Sequence, residues 1–214
     1  MLLIRPPGVY PPQGDTELLI SCLRRERLDG GCWVLDLGTG TGAVALAAAR
    51  TGARVTAVDL SARAVLAAWA NTRLRRRHVE LHRGDLTGPV QDRRFDLVTA
   101  NPPYVPTEGS GRPRGPALAW DAGPDGRLVL DRICREAPRL LDAGGVLLLV
   151  QSSLAGVPQT LAALRDAGLR AAVVARRRQA FGPVMTARAG LFERLGLIGA
   201  GVREEELVVV RGVR

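Results

Sequence analysis

The stretch CWVLDLGTGTGAVALAAA, residues 32–49, decides the fold, because a strand, a glycine loop and a helix follow one another in it without a break. Residues 32–37 form a short apolar run bounded by glycines, which is typical of a buried strand, and the alanine-rich residues 43–49 favour a helix. Glycine occupies every second position of the loop between them, at Gly38, Gly40 and Gly42. Glycines permit a tight turn and let a ligand approach the backbone, while the start of the helix supplies unpaired N–H groups. The stretch therefore predicts a ligand-binding loop in an α/β fold.

An acidic residue follows this loop at the distance that nucleotide-binding folds use. A glycine loop alone is a weak indication, because a turn between a strand and a helix need not bind anything. Residues 54–59, however, form the next apolar run and end in Asp59. That is about twenty residues beyond the loop, where doubly wound folds place a carboxylate on the ribose hydroxyls. Ligand binding is therefore favoured over a purely structural loop.

The alternation of strands and helices continues to residue 150. A helix is predicted over residues 62–75, a strand over 79–82, a strand over 95–100, a helix over 128–141 and a fifth strand over 145–150. Asp59, Asp85 and Asn101 then lie at the carboxyl ends of strands, as does the glycine loop, and ligands bind at that edge of an open parallel sheet. A glycine- and proline-rich loop over residues 107–126 is expected to cover this edge.

The ends of the chain extend the same pattern. Residues 9–14 are predicted as a loop, and Asp15 or Thr16 as the cap of an amphipathic helix. Beyond residue 150 we predict a helix over 161–167, a strand over 171–175, a short helix over 187–195 and a last strand over 206–210. No internal repeat or linker divides the sequence. Residues 1–214 are therefore expected to form one α/β domain, with residues 1–30 as its leading segment and first helix.

The sequence Asn101-Pro102-Pro103-Tyr104 ends the predicted strand 95–100. Two prolines stiffen the backbone and lack N–H groups, so the corner is rich in hydrogen-bond acceptors and has an aromatic ring beside them. Such a corner suits a planar NH2 group that donates both hydrogens while its face lies against the ring. A primary amide and the exocyclic amine of a base both meet this description. The tetrapeptide by itself is equally consistent with an ordinary turn.

The composition is that of a globular protein with a basic surface. The chain has 214 residues, of which 46% are hydrophobic and 24% charged, and its net charge is +9. All 30 basic residues are arginine, most densely at residues 75–77 and 176–178, and such a surface attracts nucleic acids or their partners. The three cysteines are widely spaced without a Cys-x-x-Cys, so neither a disulfide framework nor a zinc site is predicted. With no signal peptide and no apolar run of about 18 residues, a cytoplasmic location is expected.

Four motifs together resemble class I S-adenosylmethionine-dependent methyltransferases of the HemK type, which are protein-glutamine methyltransferases that modify translation release factors. They are Asp36-x-Gly38-x-Gly40-x-Gly42, Asp59, Gly84-Asp85-Leu86 and Asn101-Pro102-Pro103-Tyr104. Residues 9–19 also resemble the leading segment of the short branch of that family, which occurs in archaea, eukaryotes and some bacteria. The similarity runs from about residue 9 to residue 150.

The resemblance implies a Rossmann-like, seven-stranded, mostly parallel sheet with a reversed last strand and helices on both faces. It also implies cofactor contacts. Asp36 and Gly38, with Thr16 close by, would bind the amino-acid end of S-adenosylmethionine. Gly40 and Gly42 would complete the cofactor loop, and Asn101 would also lie at the cofactor. Asp59 would hold the ribose, and Asp85 and Leu86 would contact the adenine.

The resemblance further assigns the substrate side of the site. Asn101 and the Pro102 carbonyl would hold the substrate amide, and Tyr104 would pack against it as the third catalytic residue. Pro103 and Val105 would complete the substrate contacts. No metal is expected, and His78 and His82 lie outside the motifs and are expected to be structural.

Three functions remain open at this point. The first is methylation of the glutamine amide in a Gly-Gly-Gln motif of a release factor. The second is adenine N6 methylation of DNA or RNA, which uses the same tetrapeptide and would explain the charge of +9. The third is a non-enzymatic S-adenosylmethionine-binding module, which has no use for paired acceptors beside the methyl group.

Partner recognition is the part that the resemblance leaves open. Long-chain bacterial members have an N-terminal helical domain that grips the release factor, and this chain is expected to lack one. Short-branch members of archaea and eukaryotes work with a small zinc-binding activator protein, which is a candidate partner here. Residues 181–201 form a longer connection than the short branch leads one to expect.

Overall fold

Seven strands form one mixed sheet in this computed structural model, which describes residues 2–108 and 119–214. The strands are β1 (Trp33–Leu37), β2 (Arg54–Asp59), β3 (Glu80–Arg83), β4 (Phe95–Ala100), β5 (Leu141–Ser152), β6 (Arg170–Ala180) and β7 (Glu204–Val213). Their order across the sheet is β3-β2-β1-β4-β5-β7-β6. Neighbours from β3 to β5 are parallel, and β7 runs antiparallel to both β5 and β6. The predicted seven-stranded sheet with a reversed last strand is confirmed.

Helices surround this sheet. They are α1 (Gly14–Leu23), α2 (Ala43–Ala49), α3 (Ala62–Leu74), α4 (Leu130–Glu136), α5 (Val157–Asp166), α6 (Pro183–Ala187) and α7 (Ala189–Arg194). The first helix, α1, packs against β5, β6 and β7, so it joins the leading segment to the C-terminal strands. Within the described parts of the chain, no helix has the length and apolar character needed to cross a membrane.

The core lies along the central parallel strands, whose residues are buried almost without interruption. A parallel strand covered on both faces reads as a continuous apolar run, which is why β1, β2 and β4 were visible in the sequence. Phe95, Leu35 and Leu147 are among the largest fully buried side chains. Truncation of such a side chain to alanine typically costs about 2–5 kcal/mol of stability.

Prolines explain two differences from the predicted helices. The helix predicted over residues 128–141 ends at Glu136, and Pro138 lies in a 3-10 turn over Ala137–Leu140. A proline inside a helix removes an N–H and clashes with the preceding turn, so β5 begins directly after that 3-10 turn. The helix predicted to begin at residue 161 begins at Val157 instead, because Pro158 suits the first turn.

The C-terminal strands and helices are longer than the sequence predicts. Strand β6 continues to Ala180 because its exposed and half-buried residues alternate, as on an edge strand, and the arginines on its exposed positions hide this pattern. Strand β7 extends from Glu204 to Val213 as its partner. Residues 183–194 form two short helices where one was predicted over 187–195.

The predicted helix cap is wrong. The N-cap of α1 is Gln13, and neither Asp15 nor Thr16 caps the helix, since both lie within its first turn and are buried. Of the loop predicted over residues 107–126, residues 109–118 lie outside the described part of the chain.

Candidate active site

A cavity of about 360 Å³ opens at the carboxyl edge of the parallel strands. Its wall contains all but one of the residues that the sequence predicts for the site. Those in the wall are Thr16, Asp36, Gly38, Gly40, Asp59, Asp85, Leu86, Asn101, Pro102, Pro103, Tyr104 and Val105. Residues that lie as far apart in the sequence as 16 and 105 thus meet in one place.

Gly42 is the exception and lies outside the cavity wall. It is the N-cap of α2 with a φ of 80°, in the left-handed region that favours glycine. A Cβ atom at Gly42 would lie 3.1 Å from the Cα and the Cβ of Ala68 in α3. Gly42 therefore allows α2 and α3 to approach each other. Gly40 has a similar φ of 56°, but a Cβ there would meet no atom within 4 Å, so Gly40 leaves its side of the cavity open.

Asp36 is a buried carboxylate at the end of β1. One of its oxygens accepts a hydrogen bond from Thr39 Oγ1 at 2.7 Å, and the other accepts one from Thr99 Oγ1 at 2.8 Å. Burial raises the pKa of Asp36 to about 6, against the opposing effect of the two hydroxyls. A bound cation would offset the cost of this buried charge, so Asp36 suits the ammonium group at the amino-acid end of S-adenosylmethionine.

Asp59 ends β2 and holds the glycine loop. Its two oxygens accept hydrogen bonds from the backbone N–H groups of Gly40 and Ser61, both at 2.8 Å. Burial raises the pKa of Asp59, and the two N–H donors oppose this shift. Each carboxylate oxygen has a second lone pair, so both can still accept from the hydroxyls of a ribose in the cavity.

Asp85 and Leu86 follow β3 at the far side of the cavity. Asp85 forms an ion pair with Arg132 at 2.9 Å, and Arg132 also lines the cavity. Leu86 has a φ of 48°, which is uncommon for a residue other than glycine, aspartate or asparagine. Leu86 thus provides an apolar surface of the wall and Asp85 a charged one, and this combination fits the adenine contact implied for these two residues.

The Asn101 corner is held by a chain of hydrogen bonds that begins at Asp15. The Asn101 side-chain Nδ2 donates to Thr16 Oγ1 at 3.3 Å, and Thr16 Oγ1 donates to Asp15 Oδ1 at 3.2 Å. The Tyr104 hydroxyl donates to the other Asp15 oxygen at 3.1 Å. Because Nδ2 is directed at Thr16, the side-chain oxygen of Asn101 lies on the opposite side of the amide group, where it can accept a hydrogen bond from a substrate.

Tyr104 is a neutral phenol at every working pH. Burial raises its pKa well above the usual value, and the negative charge of Asp15 raises it further. The pKa of Tyr10, which lines the same cavity, is raised by burial and by Asp15 as well. Both rings therefore act as apolar walls with a hydroxyl donor and not as bases.

Sequence reasoning missed several residues of the wall, among them Asp15 and a group from the C-terminal third of the chain. Asp15 was interpreted as a helix cap, although its position in the leading segment beside Thr16 was a usable signal. The C-terminal group consists of Gln179, Gly182, Pro183, Val184, Met185 and Glu205. Only the unusual length of residues 181–201 pointed to it.

The C-terminal wall is attached to the segment that follows the Asn101 corner. Arg188 forms an ion pair with Asp121 at 2.5 Å, and its Nη1 donates to the carbonyl of Pro106 at 3.1 Å. Arg194 pairs with Glu108 at 2.5 Å. The connection between β6 and β7 is therefore part of the site, since it is held against the segment after the Asn101 corner by these contacts.

Metal-binding side chains do not gather in the described residues, since no group of three or more His, Cys, Asp or Glu could hold an ion there. His82 contacts Glu80 at 2.8 Å on β3, and neither it nor His78 lines the cavity. The acceptors that do line it suit an organic cofactor with an ammonium group and a ribose.

Comparison with known proteins identifies methyltransferases as relatives of this chain. The methyltransferase small domain family matches residues 3–112. The putative protein N5-glutamine methyltransferase MJ0928 of Methanocaldococcus jannaschii is 35% identical over 185 residues, which cover 86% of this chain and 92% of that protein. The release factor glutamine methyltransferase of Geobacter sulfurreducens is 36% identical over 151 residues, covering 67% of this chain and 53% of that protein. The chain thus spans most of the archaeal relative and about half of the bacterial one.

Solved structures resemble the whole fold. The E. cuniculi Mtq2-Trm112 complex, responsible for the methylation of the translation termination factor eRF1, matches with a TM-score of 0.68 and 26% identity over 97% of this chain and 99% of that one. Precorrin-6y C5,15-methyltransferase of Geobacter metallireducens has a TM-score of 0.64 at 16% identity, covering 99% of this chain and 95% of that one, and it shows the fold alone. The matched family, the archaeal relative and the fold agree: the chain belongs to the HemK-type class I methyltransferases, enzymes that use S-adenosylmethionine as their cofactor.

Proposed function

We propose that this enzyme transfers the methyl group of S-adenosylmethionine to the side-chain amide nitrogen of a glutamine in a Gly-Gly-Gln loop of a translation release factor. The similarity to MJ0928 and to the release factor glutamine methyltransferases supports this substrate. Residues 1–214 act in this proposal as one methyltransferase domain in the cytoplasm, where release factors work. The single sheet that takes strands from Trp33 to Val213 supports one domain.

The orientation of Asn101 carries the proposal. With Nδ2 bound to Thr16, the Asn101 oxygen is a fixed acceptor, and the carbonyl of Pro102, which also lines the cavity, is the second acceptor in this proposal. A primary amide has two hydrogens on one nitrogen and can donate one to each acceptor. If the Asn101 side-chain amide were turned the other way, its NH2 group would face the NH2 group of the substrate glutamine, and the two donors would repel each other.

The chemistry needs alignment and charge placement from the protein. An amide nitrogen is a poor nucleophile because its lone pair is conjugated with the carbonyl. Two acceptors on its hydrogens turn the lone pair toward the methyl group and stabilise the positive charge that grows on nitrogen as the N–C bond forms. The methylated nitrogen then releases one of its two hydrogens to water as a proton, which leaves a neutral N-methyl amide. When bound, S-adenosylmethionine supplies a methyl group on a sulfonium that leaves as a neutral thioether. Tyr104, held by Asp15, covers the face of the amide and excludes water.

An adenine amino group is the second candidate, and the net charge of +9 favours it. The corner accepts either kind of NH2 group. A glutamine in a glycine loop extends into a cavity without unstacking, whereas a duplex base must be flipped at a cost on the order of a few kcal/mol. With a protein substrate, the arginine-rich surface would bind an acidic protein surface or a partner near the ribosome. Such binding is sensitive to salt, because salt screens the attraction between the charges.

Mass spectrometry of a release factor incubated with the enzyme and S-adenosylmethionine tests the proposal. One added methyl group on the glutamine of the Gly-Gly-Gln loop is expected, and a factor with that glutamine changed to alanine should stay unmodified. The matched arm is an adenine-containing oligonucleotide under the same conditions. Methylation of the oligonucleotide with an unmodified factor would show that the base is the substrate.

A small zinc-binding activator subunit is the partner that we propose. The similarity to Mtq2 in its complex with Trm112 supports such a subunit, and α3 exposes Leu66, Trp69 and Leu74, which are 61%, 51% and 67% accessible. Contiguous exposed apolar patches mark interaction sites, and Leu66 and Trp69 are three residues apart, so they are neighbours on the surface of α3. Release-factor methylation rates measured with and without a Trm112-type protein test this partner, and equal rates together with the absence of a complex on size-exclusion chromatography would rule it out.

A further inference from the structure

Glu205 contributes a buried carboxylate to the C-terminal wall of the cavity. It lies on β7 opposite Gln179 of β6, and only 6% of its surface is accessible. Its Oε1 accepts a hydrogen bond from Gln179 Nε2 at 3.1 Å. Its Oε2 is buried and makes no hydrogen bond of standard geometry among residues 2–108 and 119–214, although the Ser152 side chain lies near the carboxylate. An acceptor left unpaired in a cavity wall is costly, so it is expected to meet a donor in the working complex.

The surroundings of Glu205 connect it to α1. A Cβ at Gly14 would lie 2.1 Å from Gln179 Oε1, so the end of the Gln179 side chain lies against the first residue of α1. Arg177 adds a second link, since its Nη1 donates to the Gly14 carbonyl at 3.3 Å and pairs with Glu17 at 3.1 Å. The ends of β6 and β7 are thus fixed to the helix that carries Asp15 and Thr16.

Glu205 belongs to the substrate side of the cavity. Burial raises its pKa, and the charge of Asp15 raises it further, while Ser152 and Gln179 oppose the shift. Besides burial, the negative charges of Asp15 and Glu205 also raise the pKa of Tyr104. Asp36, at the cofactor side, is influenced by Asp59 instead. Glu205 lies at the end of the cavity that holds Tyr104, because its partner Gln179 lies against Gly14 at the start of α1, and the next residue, Asp15, accepts the hydrogen bond from the Tyr104 hydroxyl.

We propose that Glu205 Oε2 accepts a hydrogen bond from a backbone N–H of the substrate peptide beside the target glutamine. This inference rests on the proposed function. The two hydrogens of the target amide are taken by Asn101 and Pro102, and a Gly-Gly-Gln loop has no cationic side chain, so backbone N–H groups are the donors that remain. The adjacent wall of Pro183, Val184 and Met185 offers no side-chain donor to compete for Oε2.

The variant E205Q tests this role because it inverts one hydrogen bond. The E205Q side chain keeps its oxygen toward the Gln179 donor, which places an NH2 group where Oε2 lies, so a donor faces the substrate N–H. The KM for the release factor, measured at saturating S-adenosylmethionine, is expected to rise about tenfold to a hundredfold, as for loss of a hydrogen bond to a charged group. The kcat and the cofactor Kd are expected to change less than about twofold, since the reacting groups are untouched.

The matched control is E206Q, the same change on the next residue of β7. Glu206 pairs with Arg176 at 2.5 Å outside the cavity. The KM of E206Q for the release factor should therefore equal that of the wild type. A second variant, E205D, keeps the charge but withdraws the acceptor by one methylene group, and it should also raise KM.

Three results would overturn the inference. A wild-type KM in E205Q would show that Oε2 does not meet the substrate, while leaving the proposed function intact. Loss of cofactor binding in both E205Q and E205D would show that Glu205 serves folding. A wild-type enzyme that leaves the release factor unmodified would remove the proposed function and this inference together.

Discussion

Replacement of Asn101 by alanine tests the central claim about the site. The change removes one of the two acceptors that we propose for the substrate amide and leaves Asp36 and Asp59, on β1 and β2, in place. Removal of one preorganised catalytic hydrogen-bonding group typically lowers kcat by about a hundredfold or more, which is about 2.7 kcal/mol of transition-state stabilisation. The cofactor Kd from calorimetry is expected to stay near the wild-type value.

Thr16 permits a sharper version of this experiment. Its hydroxyl fixes the Asn101 amide at 3.3 Å, so Thr16→Val should lower kcat by releasing that amide, while Thr16→Ser keeps the hydroxyl and serves as the control. If Thr16 acts on turnover only through Asn101, Thr16→Val should lower kcat no further in the Asn101→Ala background. An effect of Thr16→Val on the cofactor Kd in both backgrounds would instead report the cofactor contact expected for Thr16.

Two outcomes would refute the reasoning. Equal losses of cofactor affinity and kcat in Asn101→Ala would mean that Asn101 serves the cofactor or the fold and not the substrate amide. Fully additive effects of Thr16→Val and Asn101→Ala on kcat would mean that the hydrogen bond between them does not orient the acceptor.

Three further predictions concern the cofactor end and the glycine loop. Asp59→Ala should weaken S-adenosylmethionine binding by about 1.5–3 kcal/mol, the scale of charge-assisted hydrogen bonds, and unchanged affinity in calorimetry would exclude the ribose contact. Because the pKa of Asp36 is about 6, the carboxylate becomes neutral below that pH and loses its attraction for the cofactor ammonium. Cofactor affinity should therefore fall as the pH drops through 6, and this dependence should be absent in Asp36→Asn. Gly42→Ala and Gly40→Ala both place a side chain at positive φ, at a cost of about 1–2 kcal/mol, but only Gly42→Ala also brings a Cβ within 3.1 Å of Ala68. Thermal denaturation should show the lower Tm for Gly42→Ala, and equal Tm values would contradict the packing role of Gly42.

The sequence predicts the parallel half of the sheet well and the antiparallel half poorly, for a physical reason. Strands buried on both faces are continuous apolar runs, and β1, β2 and β4 have this form. Strand β6 lies at the edge of the sheet, and its exposed positions carry arginines that read as a solvated surface. The C-terminal wall with Gln179 and Glu205 was missed together with that strand.

Asp15 shows a second limit of sequence reasoning. An aspartate at the start of a helix is a frequent cap, and the pattern alone does not say toward which side its carboxylate turns. Here the side chain turns inward, because Tyr104 and Thr16 supply donors that satisfy a buried carboxylate. Those donors come from residues 1 and 89 positions away in the chain, so the more distant one is visible only after folding.

The order of the strands explains why cofactor and substrate groups meet at all. Strand β1 lies between β2 and β4, and Leu37 pairs with Ala100 in the register of β1 and β4. The first residues beyond these two strands are Gly38 of the glycine loop and Asn101 of the Asn101 corner. They therefore lie side by side at the carboxyl edge of the sheet. A Cβ at Gly38 would lie 3.8 Å from the Asn101 carbonyl oxygen, so the two backbones are close neighbours. The chain leaves β1 toward α2 and β2 on one side, and it leaves β4 toward β5 on the other, which opens the crevice between them. The adjacency of β1 and β4 thus places the glycine loop, which we propose to bind the cofactor, beside the Asn101 corner, which we propose to bind the substrate amide.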